Sequence, residues 1–446
     1  MEISGAEQRF PSKEVRMDRL LGESMKRLIK GLEIKAGFWA LFDQGAVSLG
    51  NFLTQMLLAR NLSWSDYGVF ALIYGVLFVL IGALGTVVTY PLSVKGASAE
   101  PRGVSRLTGV SLWFNAGLIV PEALIVLCAV AVLHQMHLFL YAFGALFFWQ
   151  FQETLRRGLM ARLGHHEAIW GDGLSYLGQA LAIAVLARLH SLSLETAFLS
   201  IAITSAFAVA LQVLQVKPVS GGLADARALA GDFFRLGSWA SATNLANGTT
   251  QQAFPWALGL LFGTAEAGSL QALVNPLKIF NPVLISIQNL IVPAAAKAQR
   301  EQGIRAAAQN GLAYIALGSL LLLPYFVVLL IWPQFLLGIL YGFQSPYSHL
   351  ELELRICVVA YAIGYWADAA CSLLNGLGSP RAGFLAQLGA VGAAVIIGGV
   401  LIRTGLVGAI LSLGICAAVK AGIALYVIWA GNRSQGGTAV PVRAVP

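Results

Sequence analysis

Residues 107–133 of this chain read LTGVSLWFNAGLIVPEALIVLCAVAVL, a stretch in which Glu122 is the only charged residue. As a helix, the stretch is long enough to cross a bilayer core, which is roughly 30 Å thick and needs about 20 residues. A second stretch, AGFLAQLGAVGAAVIIGGVLI, fills 382–402 without any charge. Neither has the alternating polarity of membrane β-strands. The sequence therefore predicts membrane-spanning α-helices.

The composition of the whole chain is typical of a membrane protein. A soluble domain carries about 25% charged residues, whereas this 446-residue chain is 11% charged and 57% hydrophobic, with a mean hydropathy of +0.74. We expect an all-α polytopic membrane protein with about twelve transmembrane helices in two six-helix lobes. The expected spans are 37–59, 67–90, 107–133, 138–155, 169–188, 194–216, 237–261, 267–295, 307–332, 352–375, 382–402 and 406–430.

Lysine and arginine are distributed unevenly over the loops that these spans define. Of the 29 such residues, 23 fall in the termini and in the loops after even-numbered spans, and four fall on the opposite side. This count places Arg156 in the loop after the fourth span. The positive-inside rule then predicts that both termini are cytoplasmic. The expected domains are an N-terminal segment (1–36), an N-lobe (37–216), a cytoplasmic linker (217–236), a C-lobe (237–430) and a cytoplasmic tail (431–446).

The N-terminal segment, 1–36, combines apolar residues at helical spacing with lysines and arginines on the rest of the helix surface. This pattern predicts an amphipathic helix bound to anionic membrane lipids, with a solvated tail as the alternative. The segment has no apolar core of the kind that a secretory signal peptide carries. Because the net charge of +8 is explained by one membrane face, we expect no nucleic-acid partner.

The two halves of the chain repeat each other at an offset of 200 residues. Asp66-Tyr67-Gly68 corresponds to Glu266-Ala267-Gly268, and each triplet opens the second span of its half. Six spans per half give both halves the same orientation in the membrane. Parallel repeats of this kind predict a pseudo-two-fold axis along the membrane normal, with a pathway between the lobes.

Amide side chains recur on one face of three spans. A single buried amide usually forms an interhelical hydrogen bond, worth about 0.6 kcal/mol, but stripes on three spans are better explained by a shared aqueous cavity. We expect Trp39 and Trp256 beside the amides. The amides are Asn51 and Gln55 in the first span, Asn244, Asn247 and Gln251 in the seventh, and Asn275 in the eighth.

Several charged residues lie inside predicted spans, where a charge costs about 2.5–3.5 kcal/mol unless it faces a cavity or a partner, and four of them are site candidates. Lys278 lies mid-span, and we expect it to face the cavity; the alternative is an ion pair with Asp43 or Asp368. Asp43, Glu122 and Asp368 are candidates for binding a coupling ion, which would be H⁺ or Na⁺. Their depth in the membrane is the basis of this prediction.

Motifs of several enzyme classes are absent from the sequence. No G-x-x-x-x-G-K-[ST] loop is present, so ATP hydrolysis is not expected. The histidines lack carboxylates or cysteines at metal-ligand spacing, so we expect no metal and no cofactor. The longest segment on the outer side, 334–351, is too short for a catalytic domain, which argues against a membrane glycan-processing enzyme. These features favour a transporter.

Several short motifs resemble the opening of Wzx-type polysaccharide flippases, which share a superfamily with MATE exporters and lipid II flippases. The matching residues are Phe42-Asp43-Gln44, Asn51-Phe52-Leu53, Leu57-Leu58-Ala59-Arg60-Asn61-Leu62-Ser63, Asp66-Tyr67-Gly68 and Pro91. Leu155-Arg156-Arg157-Gly158 is similar to the family's fourth span and its cytoplasmic exit. Length and the six-plus-six layout agree over 37–430. Lipid II flippases usually have fourteen spans and an arginine-rich cavity, and this chain has neither.

The resemblance implies a flippase of the bacterial inner membrane that alternates between inward-open and outward-open states. Its cargo would be an undecaprenyl-diphosphate-linked oligosaccharide, and its partners would include other polysaccharide assembly proteins. Lys278 would then meet the diphosphate, and the amides and tryptophans would meet the sugars. The alternative is a MATE-like, cation-coupled drug exporter, because such exporters place a coupling acid near Asp43. An anionic cargo requires Lys278 exposed, whereas a cationic drug requires Asp43 and Asp368 unpaired.

Overall fold

The computed structural model describes residues 39, 42–97, 99–219 and 222–434, without the side chains of 223, 234–243 and 432–434. The predicted N-terminal lipid-binding segment and the tail beyond 434 lie outside the described residues. Within the described ranges the chain is almost entirely helical and contains no strand. The predicted fold class, an all-α polytopic membrane protein, is confirmed.

Twelve long helices follow one another through the described residues, and short turns join most of them. A further short helix, Pro333–Tyr341, lies between α9 and α10. The long helices are α1 (42–61), α2 (Trp64–Gly96), α3 (Pro101–Val132), α4 (Phe139–Ala161), α5 (His165–Arg188), α6 (Leu194–Val216), α7 (Gly222–Phe262), α8 (Thr264–Gln302), α9 (Ile304–Ile331), α10 (Glu351–Gly376), α11 (Pro380–Thr404) and α12 (Leu406–Ser434).

Nine of the described helices are long and apolar enough to cross a membrane. The other three, α1, α4 and α7, are the helices that carry the most polar sequence among the expected spans. Asp43 lies on α1, and Glu153 and Arg156 lie on α4, while α7 carries the amide stripe. Their polar residues face other helices or a cavity, as described below, which is how such residues are usually accommodated in a membrane bundle.

Several helices change their winding locally. Five-residue π turns interrupt α2 at Gly85–Thr89, α5 at Gly173–Leu177 and α11 at Ala394–Gly398. In α8 a 3₁₀ turn, Lys278–Phe280, lies between Pro276 and Pro282. Each proline lacks the N–H that an α-helix needs, so the regular hydrogen-bond ladder cannot run through this region. Breaks of this kind often mark hinges or binding positions.

The predicted linker, 217–236, continues from 222 onward as the first turns of α7, which is 41 residues long. Two ion pairs join these turns to the N-lobe. Lys95 Nζ of α2 lies 2.5 Å from Asp232 Oδ2, and Arg106 of α3 lies 2.8 Å from Asp225 Oδ2. The linker helix is therefore attached to the N-lobe and is continuous with the first helix of the C-lobe.

The two lobes meet where α2 and α8 begin, and we call this contact the α2–α8 closure. A Cβ atom on Gly68 would lie 1.7 Å from the carbonyl oxygen of Thr264, and one on Gly268 would lie 3.0 Å from the nitrogen of Gly68. Trp64 Nε1 also donates a 2.8 Å hydrogen bond to Ser269 Oγ. Gly68 and Gly268 are the repeat-related pair at offset 200, so equivalent positions of the two halves touch here.

Candidate functional site

A cavity of about 350 Å³ lies inside the C-lobe, between α7, α8, α10, α11 and α12. Apolar side chains form part of its wall, and amide, hydroxyl and charged groups form the rest, the mixture expected of a small-molecule site. The polar lining residues are Asn247, Thr250, Gln251, Gln252, Gln271, Lys278, Asn281, Gln288, Tyr361, Tyr365, Asp368, Gln387 and Lys420.

Lys278 enters this cavity from the 3₁₀ turn of α8. Its side chain is accessible within the cavity, and its Nζ forms no ion pair or hydrogen bond with any described residue. The side-chain oxygen Oδ1 of the neighbouring Asn281 accepts a hydrogen bond from the Tyr361 hydroxyl. Lys278 therefore presents an ammonium group with three donors that a bound molecule can use.

Two further charges in the cavity wall neutralise each other. Lys420 Nζ lies 2.6 Å from Asp368 Oδ1, with the lysine side chain mostly buried and the aspartate side chain half exposed. Together with Lys278, the described lining residues carry one net positive charge. Within the described ranges no group of three or more His, Cys, Asp or Glu side chains is placed to hold a metal ion.

A second charged cluster lies in the N-lobe around Arg156, which is only 4% exposed. Its Nη2 donates to Asp43 Oδ2 at 3.0 Å, its Nη1 donates to Glu153 Oε2 at 3.3 Å, and its Nε donates to Asp172. Arg157 donates to the other oxygen of Glu153 at 2.7 Å. One guanidinium thus links α1, α4 and α5.

The role of Arg156 differs from its sequence assignment to a cytoplasmic loop. Helix α4 continues to Ala161, about six residues beyond the expected end of the fourth span, so Arg156 lies within the packed bundle. The sequence did contain an indication that the helix continues, since Arg156 and Arg157 follow Glu153 at helical steps of three and four and can pair with it. Asp43 and Asp172, on other helices, complete the cluster and could not be paired with Arg156 from local spacing.

The predicted amides divide between the cavity and the helix packing. Asn247 and Gln251 line the cavity. Asn51 accepts a 3.2 Å hydrogen bond from Tyr74, and Gln55 accepts one of 3.2 Å from Tyr67. The structure therefore places these two amides in N-lobe packing, outside the cavity.

Four other sequence candidates also lie apart from the cavity lining. Asn275 is buried in α8 and donates to the carbonyl of Phe52 at 3.4 Å, so it joins α8 to α1. Asn244 is exposed one turn before Asn247, and Trp256 is partly buried farther along α7. Trp39 is 39% exposed and makes an edge contact with Phe42.

Three carboxylates were candidates for binding a coupling ion. Asp43 and Asp368 are both ion-paired, with Arg156 and Lys420 respectively. Glu122 is 6% exposed in α3 and lies against the side-chain amide of Gln150. Lys278 is paired with neither aspartate, so the ion-pair alternative considered from the sequence is not what the structure contains.

Solved structures with the same fold are membrane transporters. A multidrug resistance MATE family transporter of the MOP superfamily in an inward-facing conformation matches with a TM-score of 0.70 at 13% identity, over 88% of this chain and 96% of its own. An outward-facing structure of a multidrug resistance MATE family transporter matches with a TM-score of 0.60 at 12% identity, over 91% and 96%. A MOP superfamily transporter from Pyrococcus furiosus, described as having a binding pocket of reverse polarity, matches at 0.63 and 13%, over 91% and 96%. No protein-family model and no curated protein sequence matches the chain. These likenesses establish a MATE-like fold.

Proposed function

We propose that this protein is an alternating-access transporter whose C-lobe cavity binds an anionic group of its cargo through Lys278. The observation that carries the proposal is a lysine that pairs with no described residue and is accessible inside a membrane-embedded cavity. An uncompensated charge in a membrane bundle usually marks a substrate or ion pathway. A bound phosphate or carboxylate would supply the partner that Lys278 lacks.

The pairing of the acids supports an anionic cargo over a cationic one. A cationic compound would need a carboxylate that is free to receive it, but Asp368 is held 2.6 Å from Lys420. Asp43 is likewise bound to Arg156 and is fully buried. The only cavity charge without a partner among the described lining residues is therefore positive.

The specific cargo that we propose is a lipid-linked oligosaccharide, as the sequence resemblance to polysaccharide flippases implies. Small-molecule sites usually measure about 300–1,000 Å³, so a cavity of about 350 Å³ suits a diphosphate with an adjoining sugar. Asn247, Gln251 and Gln288 supply amides for sugar hydroxyls. The rest of the glycan and the lipid chain would lie outside this cavity.

The state represented by the structure is inward-open under this proposal. The α2–α8 closure seals one end of the lobe interface. The uneven distribution of lysine and arginine assigns that end to the outer face. The higher similarity to the inward-facing MATE structure than to the outward-facing one supports this assignment.

A second candidate function is cation-coupled export of drug-like compounds. The solved structures with this fold favour it, because two of them are described as multidrug resistance MATE family transporters. Under this function Asp368 would have to exchange Lys420 for a cationic compound. The charge of the molecule that binds in the cavity therefore distinguishes the two functions.

A binding assay on the purified protein tests this choice. We would titrate detergent-solubilised protein with undecaprenyl diphosphate and, separately, with a fluorescent lipophilic cation. Lys278→Gln should weaken binding of the diphosphate roughly 10- to 150-fold, because a hydrogen bond to a charged group contributes about 1.5–3 kcal/mol. Lys297→Gln is the matched control, since Lys297 is on the same helix and its side chain is 76% exposed.

The reverse pattern would replace the proposal with the second function. If the cation binds, the diphosphate does not, and Asp368→Asn abolishes cation binding, the cavity serves cation export. Equal diphosphate affinity in wild type and Lys278→Gln would also contradict the role assigned to Lys278. Restoration of surface glycan in a strain that lacks its polysaccharide flippase then tests the oligosaccharide itself, again with both lysine variants.

A further inference from the structure

Glu122 differs from the other buried carboxylates that the structure describes. Asp43, Glu153 and Asp172 all contact the guanidinium of Arg156. Glu122 is equally withdrawn from solvent, at 6% exposure, but forms no ion pair with any described residue. A buried carboxylate without a cation is unfavourable when ionised, so it tends to take up a proton.

Among the described residues, Gln150 is the hydrogen-bonding neighbour of Glu122, and its amide fits either protonation state. The Gln150 side-chain amide reaches the two carboxyl oxygens at 2.6 and 3.2 Å. With its nitrogen towards Glu122, the amide donates to the ionised carboxylate. With its oxygen towards Glu122, it accepts from the protonated carboxyl. The site can thus hold or release a proton without losing its hydrogen bond.

Several charged groups on the helices packed against α3 form ion pairs with one another. On α4, Glu153 pairs with Arg156, and on α2, Lys95 pairs with Asp232 of α7. None of these groups forms an ion pair with Glu122. No described cation therefore lies within ion-pair distance of Glu122, so none holds it permanently in the ionised state.

A buried polar stripe leads along α3 towards Glu122. Thr108, Ser111 and Asn115 recur at steps of three and four and are each fully buried, and Glu122 follows at a step of seven. Fourteen residues separate Thr108 from Glu122, which is about 21 Å along a helix. Ser111 Oγ and Asn115 Oδ1 have no hydrogen-bond partner among the residues that the structure describes. Unsatisfied buried polar atoms are where ordered water is expected.

We infer that Glu122 is a proton-binding site of the transport cycle, and that Thr108, Ser111 and Asn115 mark the proton's route from the N-terminal end of α3. A proton from this route converts the carboxylate to the neutral acid, and its release restores the carboxylate. The coupling of this step to cargo movement rests on the transport function proposed above, whereas proton binding itself does not.

Proton binding is tested without any cargo by infrared difference spectroscopy on purified protein. The protein is titrated from about pH 5 to about pH 9, above the range in which an ordinary exposed carboxyl group titrates. Wild type should show a buried carboxylic acid C=O band that disappears on alkalinisation. Glu122→Gln should lack this band while keeping the interhelical hydrogen bond to Gln150. Glu100→Gln, at the exposed start of the same helix, should keep it.

A second measurement tests the coupling. In proteoliposomes with undecaprenyl diphosphate as cargo, Glu122→Gln should lose stimulation by an imposed pH gradient and retain exchange at equal pH. An unchanged infrared band in Glu122→Gln overturns the proton site, whatever the cargo proves to be. Loss of the band with intact pH-gradient stimulation overturns the coupling role alone. Failure of the diphosphate to bind wild type overturns the proposed cargo and leaves the infrared result standing.

Discussion

Replacing Gly68 with alanine should shift the protein away from the conformation seen here. The added Cβ would lie 1.7 Å from the Thr264 carbonyl oxygen, whereas ordinary contacts begin at 3.4 Å, so the backbones must separate by about 1.7 Å. Overpacking of this kind costs about 1–3 kcal/mol. If the strain is confined to the closed state, the closed-to-open ratio falls by roughly 5- to 150-fold.

Disulfide cross-linking reports directly on this closure. The hydroxyl oxygens of Ser65 and Thr264 are 2.8 Å apart, so Ser65→Cys with Thr264→Cys, in a background lacking the four native cysteines, should cross-link readily under mild oxidation. We expect Gly68→Ala to reduce the cross-linking rate at least fivefold. Gly82→Ala is the matched control, because a Cβ at Gly82 on the same helix meets nothing within 4 Å.

Equal cross-linking rates in the Gly68→Ala and Gly82→Ala proteins would refute this reasoning. That result would mean that α2 and α8 accommodate a methyl group by local adjustment, and that the closure is not a close-packed, two-state contact. A parallel loss of expression or of melting temperature in Gly68→Ala alone would instead indicate that the contact stabilises the fold in every state.

Two further predictions concern ion pairs of different burial. Arg156→Ala should lower the free energy of unfolding by about 3–5 kcal/mol, because it leaves buried carboxylates without a partner. Arg157→Ala should lower it far less, because the side chain of Arg157 is 43% exposed. Thermal melting in detergent measures both variants. Asp232→Ala, which removes the accessible pair with Lys95, should change stability by at most about 1 kcal/mol, and a larger fall would show that the linker helix is a major stabilising contact.

The fold was predictable from the sequence because hydrophobic length is a physical requirement of the bilayer. Stretches such as 107–133 have few other stable arrangements in a membrane protein, and the structure has α3 there. The correspondence of Gly68 with Gly268 was also visible as a repeat. The end of the fourth span was only partly predictable, because the spacing of Glu153 and Arg156 is local, whereas the other partners of Arg156, Asp43 and Asp172, lie on other helices.

The site was predictable only in part, since amide stripes do not reveal what they face. Asn247 and Gln251 line the cavity, while Asn51 and Gln55, with the same spacing, accept hydrogen bonds from tyrosine hydroxyls of α2. The difference lies in which neighbour each helix face meets, and that is a tertiary property. Lys278 was identifiable because an isolated charge at mid-span requires a special environment.

The charge balance suggests that the two lobes have different tasks. Around Arg156 and Arg157 there are three carboxylates, so the N-lobe cluster has one more negative than positive group. In the C-lobe cavity, Lys278 and Lys420 face the single carboxylate of Asp368, so the excess is positive. An anionic cargo suits the second lobe, and a proton suits the first, where Glu122 also lies. Because distant sites usually act additively, removing Lys278 should impair cargo binding while leaving proton binding at Glu122 intact.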